Sequence, residues 1–218
     1  MFGCLGRLGC LVMLALLGVG GWFTKDLWYP RVRALVVSEP PAKGMTWMPI
    51  TKDAEARATA KIAKLAEKNG PVFTDLTPSE FAARVMMPAM KMLGSSAGDP
   101  EAAIHGDTLF VRANVALTEL GDPKSFGPLA SMLDGRQPVV IGGRLDVAGK
   151  GVAQFHVVHF TVKELKIPGA AVAKIVARVG MKARTDVIDA SAVALPLAST
   201  VADVRITKGH VVLYKAMP

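Results

Sequence analysis

Two long apolar runs separated by a glycine turn constrain this chain more than any other feature in it. The first reads Val139-Val140-Ile141-Gly142-Gly143-Arg144-Leu145-Asp146-Val147, then Ala148-Gly149-Lys150-Gly151, and the second extends from Val152 to Ile167. In the first run Val139, Ile141, Leu145 and Val147 fall on one side, with Arg144 and Asp146 on the other. That two-residue period is the mark of a strand with one apolar face. The Gly-Lys-Gly turn predicts that the runs form a hairpin. Gly142-Gly143, set inside a strand, marks a bulge or bend. After Pro168-Gly169 the period changes. Val172, Ile175, Val176 and Val179 stand at i, i+3, i+4 and i+7, one stripe of a helix. A long hairpin feeding an apolar helix gives a curved sheet something to wrap around.

Other segments fill in the order of elements. Residues 53–68 are rich in Ala, Lys and Glu and stop at Asn69-Gly70-Pro71, which predicts a helix. Its apolar side is thin (Ala58, Ile62, Leu65), while Arg57, Lys61, Lys64 and Lys68 are basic. Those four are candidates to face anionic headgroups, or else form an ordinary solvated face. In Thr77-Pro78-Ser79-Glu80 the threonine can cap, the proline suits the first helical position and the glutamate completes a capping box. The helix that follows carries Phe81, Val85, Met86, Met90 and Leu93, with Pro88 as a kink. Its methionines suit either core packing or irregular apolar partners such as acyl chains. Residues 107–117 alternate as a strand, and Val204 to Leu213 make a final hairpin around Lys208-Gly209. The expected class is α+β, with a curved antiparallel sheet wrapped around helices.

The amino terminus adds a membrane expectation. From Leu8 to Phe23 there is no charged side chain; Arg7 stands at one end, and Trp22, Trp28 and Tyr29 at the other. This predicts a transmembrane signal-anchor over 1–29 and a linker over 30–52. An extracytoplasmic α+β domain over 53–218 would follow. A cleaved signal peptide ending near Gly18-Val19-Gly20 is the alternative. Lys25, Arg31 and Arg33 would hold the carboxyl side cytoplasmic by the positive-inside rule. Arg7 ahead of the apolar run is instead the layout of an export signal. The favoured placement is the cell inner membrane, single-pass, with the C-terminal domain outside the cytoplasm. A net charge of +8 and a pI near 9.7 call for an acidic partner.

Chemistry-bearing patterns are sparse. Cys4 and Cys10 both lie in or beside the apolar segment, so neither a disulfide framework nor a cysteine zinc site is expected. His156 and His159, three apart in a strand pattern, should point to opposite faces and share no metal. No nucleophile elbow, phosphate-binding loop or zinc-protease helix occurs. The reading is therefore not an enzyme, with no cofactor and no metal. Aromatic residues are few among the Lys and Arg, which argues against nucleic acid.

The order of motifs resembles that of bacterial membrane-anchored phospholipid-binding proteins, distant relatives of the tubular lipid-binding superfamily. The resemblance is carried by Leu76-Thr77-Pro78-Ser79-Glu80-Phe81, Gly106-Asp107-Thr108-Leu109-Phe110-Val111, Leu165-Lys166-Ile167-Pro168-Gly169, Leu195-Pro196-Leu197 and Val204-Arg205-Ile206-Thr207-Lys208-Gly209, and covers residues 74–215. It implies a curved sheet that wraps a helix and leaves an apolar groove for acyl chains. By position, Phe81, Val85, Met86, Met90, Phe155, Val157, Val172, Ile175, Val176 and Val179 would line that groove. The methionine-rich and basic helices depart from the family pattern. The first functional expectation is thus a membrane-anchored module that binds or transfers phospholipid or another acyl lipid. The alternative is a non-enzymatic accessory subunit that docks another envelope protein. Apolar faces closed completely on each other would favour the alternative.

Overall fold

Alternation in the two apolar runs is realised as a hairpin of two long strands, and the rest of the fold is laid against it. The computed structural model describes residues 44–87, 98–116, 135–163, 165–167, 172 and 192–216. In chain order these form β1 (Met48–Pro49), α1 (Lys52–Ala66), β2 (Phe73–Leu76), α2 (Pro78–Phe81), a π-helical turn (Ala82–Met86), β3 (Gly98–His105), β4 (Thr108–Ala116), β5 (Arg136–Gly149), β6 (Val152–Val162), β7 (Leu165–Lys166), β8 (Ala192–Pro196), β9 (Val201–Thr207) and β10 (His210–Lys215). The larger sheet runs β1-β3-β4-β5-β6, and β7 and β8 both pair with β6, near its two ends. The smaller sheet runs β2-β10-β9. Every pairing described is antiparallel.

Local chemistry sets the turns. Lys208 and Gly209 both adopt positive φ (50° and 79°), the two-residue mirror turn whose twist matches that of the flanking strands. In the β5–β6 turn Gly151 has a φ of 81°. Thr51 caps α1 by accepting from the Ala54 amide. The capping box at Thr77 and Glu80 forms in full, with Pro78 in the first turn.

Glycines let aromatic rings lie flat on β5. A Cβ on Gly142 would come within 2.5 Å of the Phe110 ring on one face of the sheet. On the other face, a Cβ on Gly143 would lie 2.5 Å from the Phe155 ring and 2.6 Å from the His156 carbonyl oxygen. Opposite this pair β6 carries one extra residue, Val158, because Gly142 registers with His159 and Gly143 with Val157. The bulge expected at these glycines is thus present, and it re-aims the side chains beyond it.

Two apolar clusters fill the inward face of the larger sheet. The first joins Leu109, Val111 and Phe155 to Leu65 of α1, to Phe81, Val85 and Met86, and to Val204, Val211 and Leu213 of the smaller sheet. The second gathers Ala113, Val115, Val139, Phe160, Val162, Ile167 and Val172. Ile141 and Val157 touch both.

Two expectations are corrected. The fold is not α+β with a sheet wrapped around helices; it is mostly antiparallel sheet with short helices. The physical reason is that the helices supply little area. The buried positions of α1 are Ala54, Ala58 and Leu65, and α2 has four residues before the π-helical turn. Strands supply most of the core. Among the described residues no helix is long and apolar enough to cross a membrane, and the expected anchor over 1–29 lies outside them. The single-pass anchor and the inner-membrane placement built on it are corrected accordingly.

Replacing Gly143 with alanine is expected to destabilise the fold by about 1–3 kcal/mol, because the new methyl meets a buried ring and a backbone carbonyl. The urea midpoint should fall at unchanged slope. A midpoint equal to that of the wild type would show that the ring and the bulge can move aside.

Candidate functional site

Glu80 is the most enclosed charged side chain described, with its side chain 4% exposed. The capping box places it there, since Oε2 accepts from the Thr77 backbone amide at 3.0 Å. Two residues of α1 spaced four apart reach the same carboxylate. Arg57 Nε lies 3.1 Å from Oε1 and Lys61 Nζ 2.8 Å from Oε2. Lys61 also donates to the Asp75 carbonyl on β2. Burial alone would push the Glu80 carboxyl up. The hydrogen bonds from Lys61, Thr77 and Arg57, with the charge of Lys61, outweigh burial and hold it below the 4.5 of an ordinary glutamate. The cluster therefore ties α1 to α2 and β2. Arg57 and Lys61, expected to face headgroups, are committed to this carboxylate.

The expected groove residues separate into three groups. Phe81, Val85, Met86 and Phe155 are buried in the first core cluster, packed on side chains of the chain itself. Val157 and Val172 belong to the second cluster, Val157 at the seam between the two. Met90, Ile175, Val176 and Val179 lie outside the described residues. The four that come together do so in one buried cluster.

On the outward face of the larger sheet the bulge corrects the histidine reading. His156 registers with Arg144 and His159 with Gly142, so the extra residue brings both histidines to one face. His159 stands edge-on to Phe110, ring centroids 5.8 Å apart. Its Nε2 is enclosed without a hydrogen-bond partner, and burial, helped by the charge of Lys166, holds its pKa below the ordinary value. Among the described residues no group of three His, Cys, Asp or Glu side chains could hold a metal ion.

Sequence reasoning missed the surface where large apolar groups face outward. Val72 is 58% exposed and Phe73 57%. On the smaller sheet Phe73 registers with Tyr214 of β10, their ring centroids 6.1 Å apart. The Arg205 guanidinium of β9 sits 5.4 Å from the Tyr214 ring centroid and pairs with Asp203 at 2.7 Å. Lys215 donates to the carbonyls of Glu67 and Lys68 just past α1, and its own amide donates to the Val72 carbonyl at 2.8 Å. Residues more than 130 positions apart in sequence thereby share one corner. Alternation of Val212 and Tyr214 with the buried Val211 and Leu213 was the available signal.

No known family, curated protein or solved structure matches this chain.

Two measurements follow. Phe155→Ala should cost about 3–5 kcal/mol, as for a filled core position; a loss below about 1 kcal/mol in urea unfolding would mean that the ring borders open space. For Glu80, the carboxyl titrates lower in the folded chain than in the unfolded one. Its stabilisation is in full above the ordinary carboxylate range and is lost as pH falls through the depressed folded value. Glu80→Gln should therefore be less stable than the wild type at pH 7 by about 1–3 kcal/mol. The gap should narrow steadily in unfolding curves taken from pH 5 to pH 2, and a gap independent of pH would refute this account.

Proposed function

We propose that this protein is a non-enzymatic docking module that uses the outward face of its three-stranded sheet, at Phe73 and Tyr214, to hold another protein. One observation carries the reading. A phenylalanine is more than half exposed on a paired strand, with an exposed valine just before it, while the core below holds Leu76, Val211 and Leu213. Exposed apolar groups gathered on a fixed scaffold are the usual mark of a contact surface. Aromatic and arginine side chains, here Phe73, Tyr214 and Arg205, are the types that dominate binding energy at such surfaces. The closing of Phe81, Val85, Met86 and Phe155 on one another supports docking over an acyl-chain groove, which needs apolar walls left without protein partners.

The full chain purified without detergent should carry no bound acyl lipid by native mass spectrometry. Phe73→Asp should leave thermal stability within about 0.5 kcal/mol of the wild type, because the ring contributes little to the core. The same change should weaken capture of the partner identified by photo-crosslinking from position 73 by at least about tenfold, equal to 1.4 kcal/mol. Stoichiometric lipid in the purified protein, together with no adduct from position 73, would overturn the proposal.

A further inference from the structure

The outermost strands of the two sheets are β1, β7 and β8 in the larger and β2 and β9 in the smaller. An outermost strand offers a row of backbone donors and acceptors to any other strand, and sheets blunt such edges with shortness, proline or lysine. Four of these five are blunted. β1 and β7 have two residues each, with Pro49 in the first and Lys166 in the second. β8 closes on Pro196, and β2 has its Asp75 carbonyl taken by Lys61. β9 differs. It has seven residues, Val201–Thr207, with no proline and no lysine, and among the described residues it pairs only with β10. We infer that β9 pairs antiparallel with β9 of a second copy of this chain, across a two-fold axis at Val204.

The backbone of β9 is set for such a partner. Lys208 and Gly209, both at positive φ, close a two-residue hairpin in which Thr207 and His210 exchange hydrogen bonds. Counting back by two, Arg205 and Asp203 also turn their backbone groups toward β10. Val204 and Ile206 therefore turn theirs to the open edge.

Side-chain charge then selects one register. With Val204 opposite Val204, Asp203 of each copy faces Arg205 of the other. That pair falls at a non-hydrogen-bonded position, where Cα atoms are about 4.5 Å apart and side chains meet most closely. A slip of one residue would put the apolar face of one copy beside the polar face of the other. A slip of two keeps the faces together but sets Arg205 against Arg205, or Asp203 against Asp203, and like charges directly opposed are destabilising. Asp203 and Arg205 are 40% and 67% exposed and already lie 2.7 Å apart within one strand. In the paired strands the four charges alternate in sign, as a surface that meets itself across a two-fold axis requires. The extra residue at Ala202, between the registers of Tyr214 and Lys215, bends β9 and bounds the pairing. The contact is accordingly small and the association reversible. Its product is the smaller sheet doubled, with β2 of each copy at an outer margin. Phe73 lies two strands from the axis, so this contact and the docking face are separate, and neither depends on the other.

Sedimentation velocity of the full chain, taken up to about 100 µM, should show a concentration-dependent dimer. D203R and R205D, each alone, oppose like charges across the axis and should weaken the dimer at least about tenfold, with thermal midpoints near that of the wild type. Mixed together, the two single variants carry complementary charges and should form a heterodimer as tight as the wild-type dimer. D203R/R205D, which exchanges the pair, should dimerise by itself. In the wild type, amide exchange at Val204 and Ile206 should slow as concentration rises, a readout that needs no variant to fold. Association driven elsewhere, as by the apolar residues 8–23, would persist in both single variants and overturn the inference. So would a monomer throughout that range, a mixture no more associated than its parts, or exchange at Val204 and Ile206 that ignores concentration.

Discussion

Glu80 carries a negative charge in a place almost closed to water, and three elements meet there to hold it. An isolated carboxylate at such a site would take up a proton. Here the capping box supplies one backbone amide, and α1 supplies a guanidinium and an ammonium from successive turns. The carboxylate can stay ionised only when α1 lies against the start of α2, so a single group fixes the approach of two helices that bury few large side chains. Lys61 extends the arrangement to β2 by donating to the Asp75 carbonyl. That contact also occupies a backbone acceptor on a strand at the edge of its sheet, one of the ways an edge is kept from pairing with another chain.

The β5–β6 hairpin solves a different problem, the fitting of bulky rings against both faces of one strand. Phe110 from β4 and Phe155 from β6 approach Gly142 and Gly143 from opposite sides. The extra residue in β6 falls at the same point, and it exposes Val158 while turning His156 and His159 to a common face. Glycine here is a consequence of ring packing. One ring, Phe155, joins the core cluster that α1, α2 and the smaller sheet complete.

Legibility in the sequence followed side-chain period and turn chemistry. The β5–β6 and β9–β10 hairpins, β4, α1 and the capping box could all be read because each carries a strict alternation, a two-residue turn or a cap at fixed spacing. β3 (Gly-Asp-Pro-Glu-Ala-Ala-Ile-His) and β8 (Ala-Val-Ala-Leu-Pro) could not. Alanine on both faces erases the period, and a proline inside a run reads as a turn. β1 and β2 are too short to show a period at all. The histidine faces were misjudged because a bulge shifts alternation by one, and nothing in Phe155-His156-Val157-Val158-His159 announces the extra residue. The cations on α1 were legible as a stripe but not by role, since Glu80 comes within their reach only once α2 folds back. The alternation of β10 shows Tyr214 facing outward, but its neighbour there was hidden for the same reason: Phe73 and Tyr214 meet only through the register of β2 on β10.

That register also explains why the apolar corner can serve as a fixed surface. β2 is tied on one side to β10 and on the other to α1 through Lys61. Lys215 clasps the turn between α1 and β2, and the Lys215 amide extends the pairing to Val72. Phe73 is thus exposed in its side chain and constrained in its backbone. A ring held this way loses little conformational freedom on contact, so more of the energy of burying it appears as affinity. The contacts that hold the corner are in part the same charges that border it. Lys61 and Lys215 anchor the strand and its turn, while Lys64 and Lys68 stand exposed beside them.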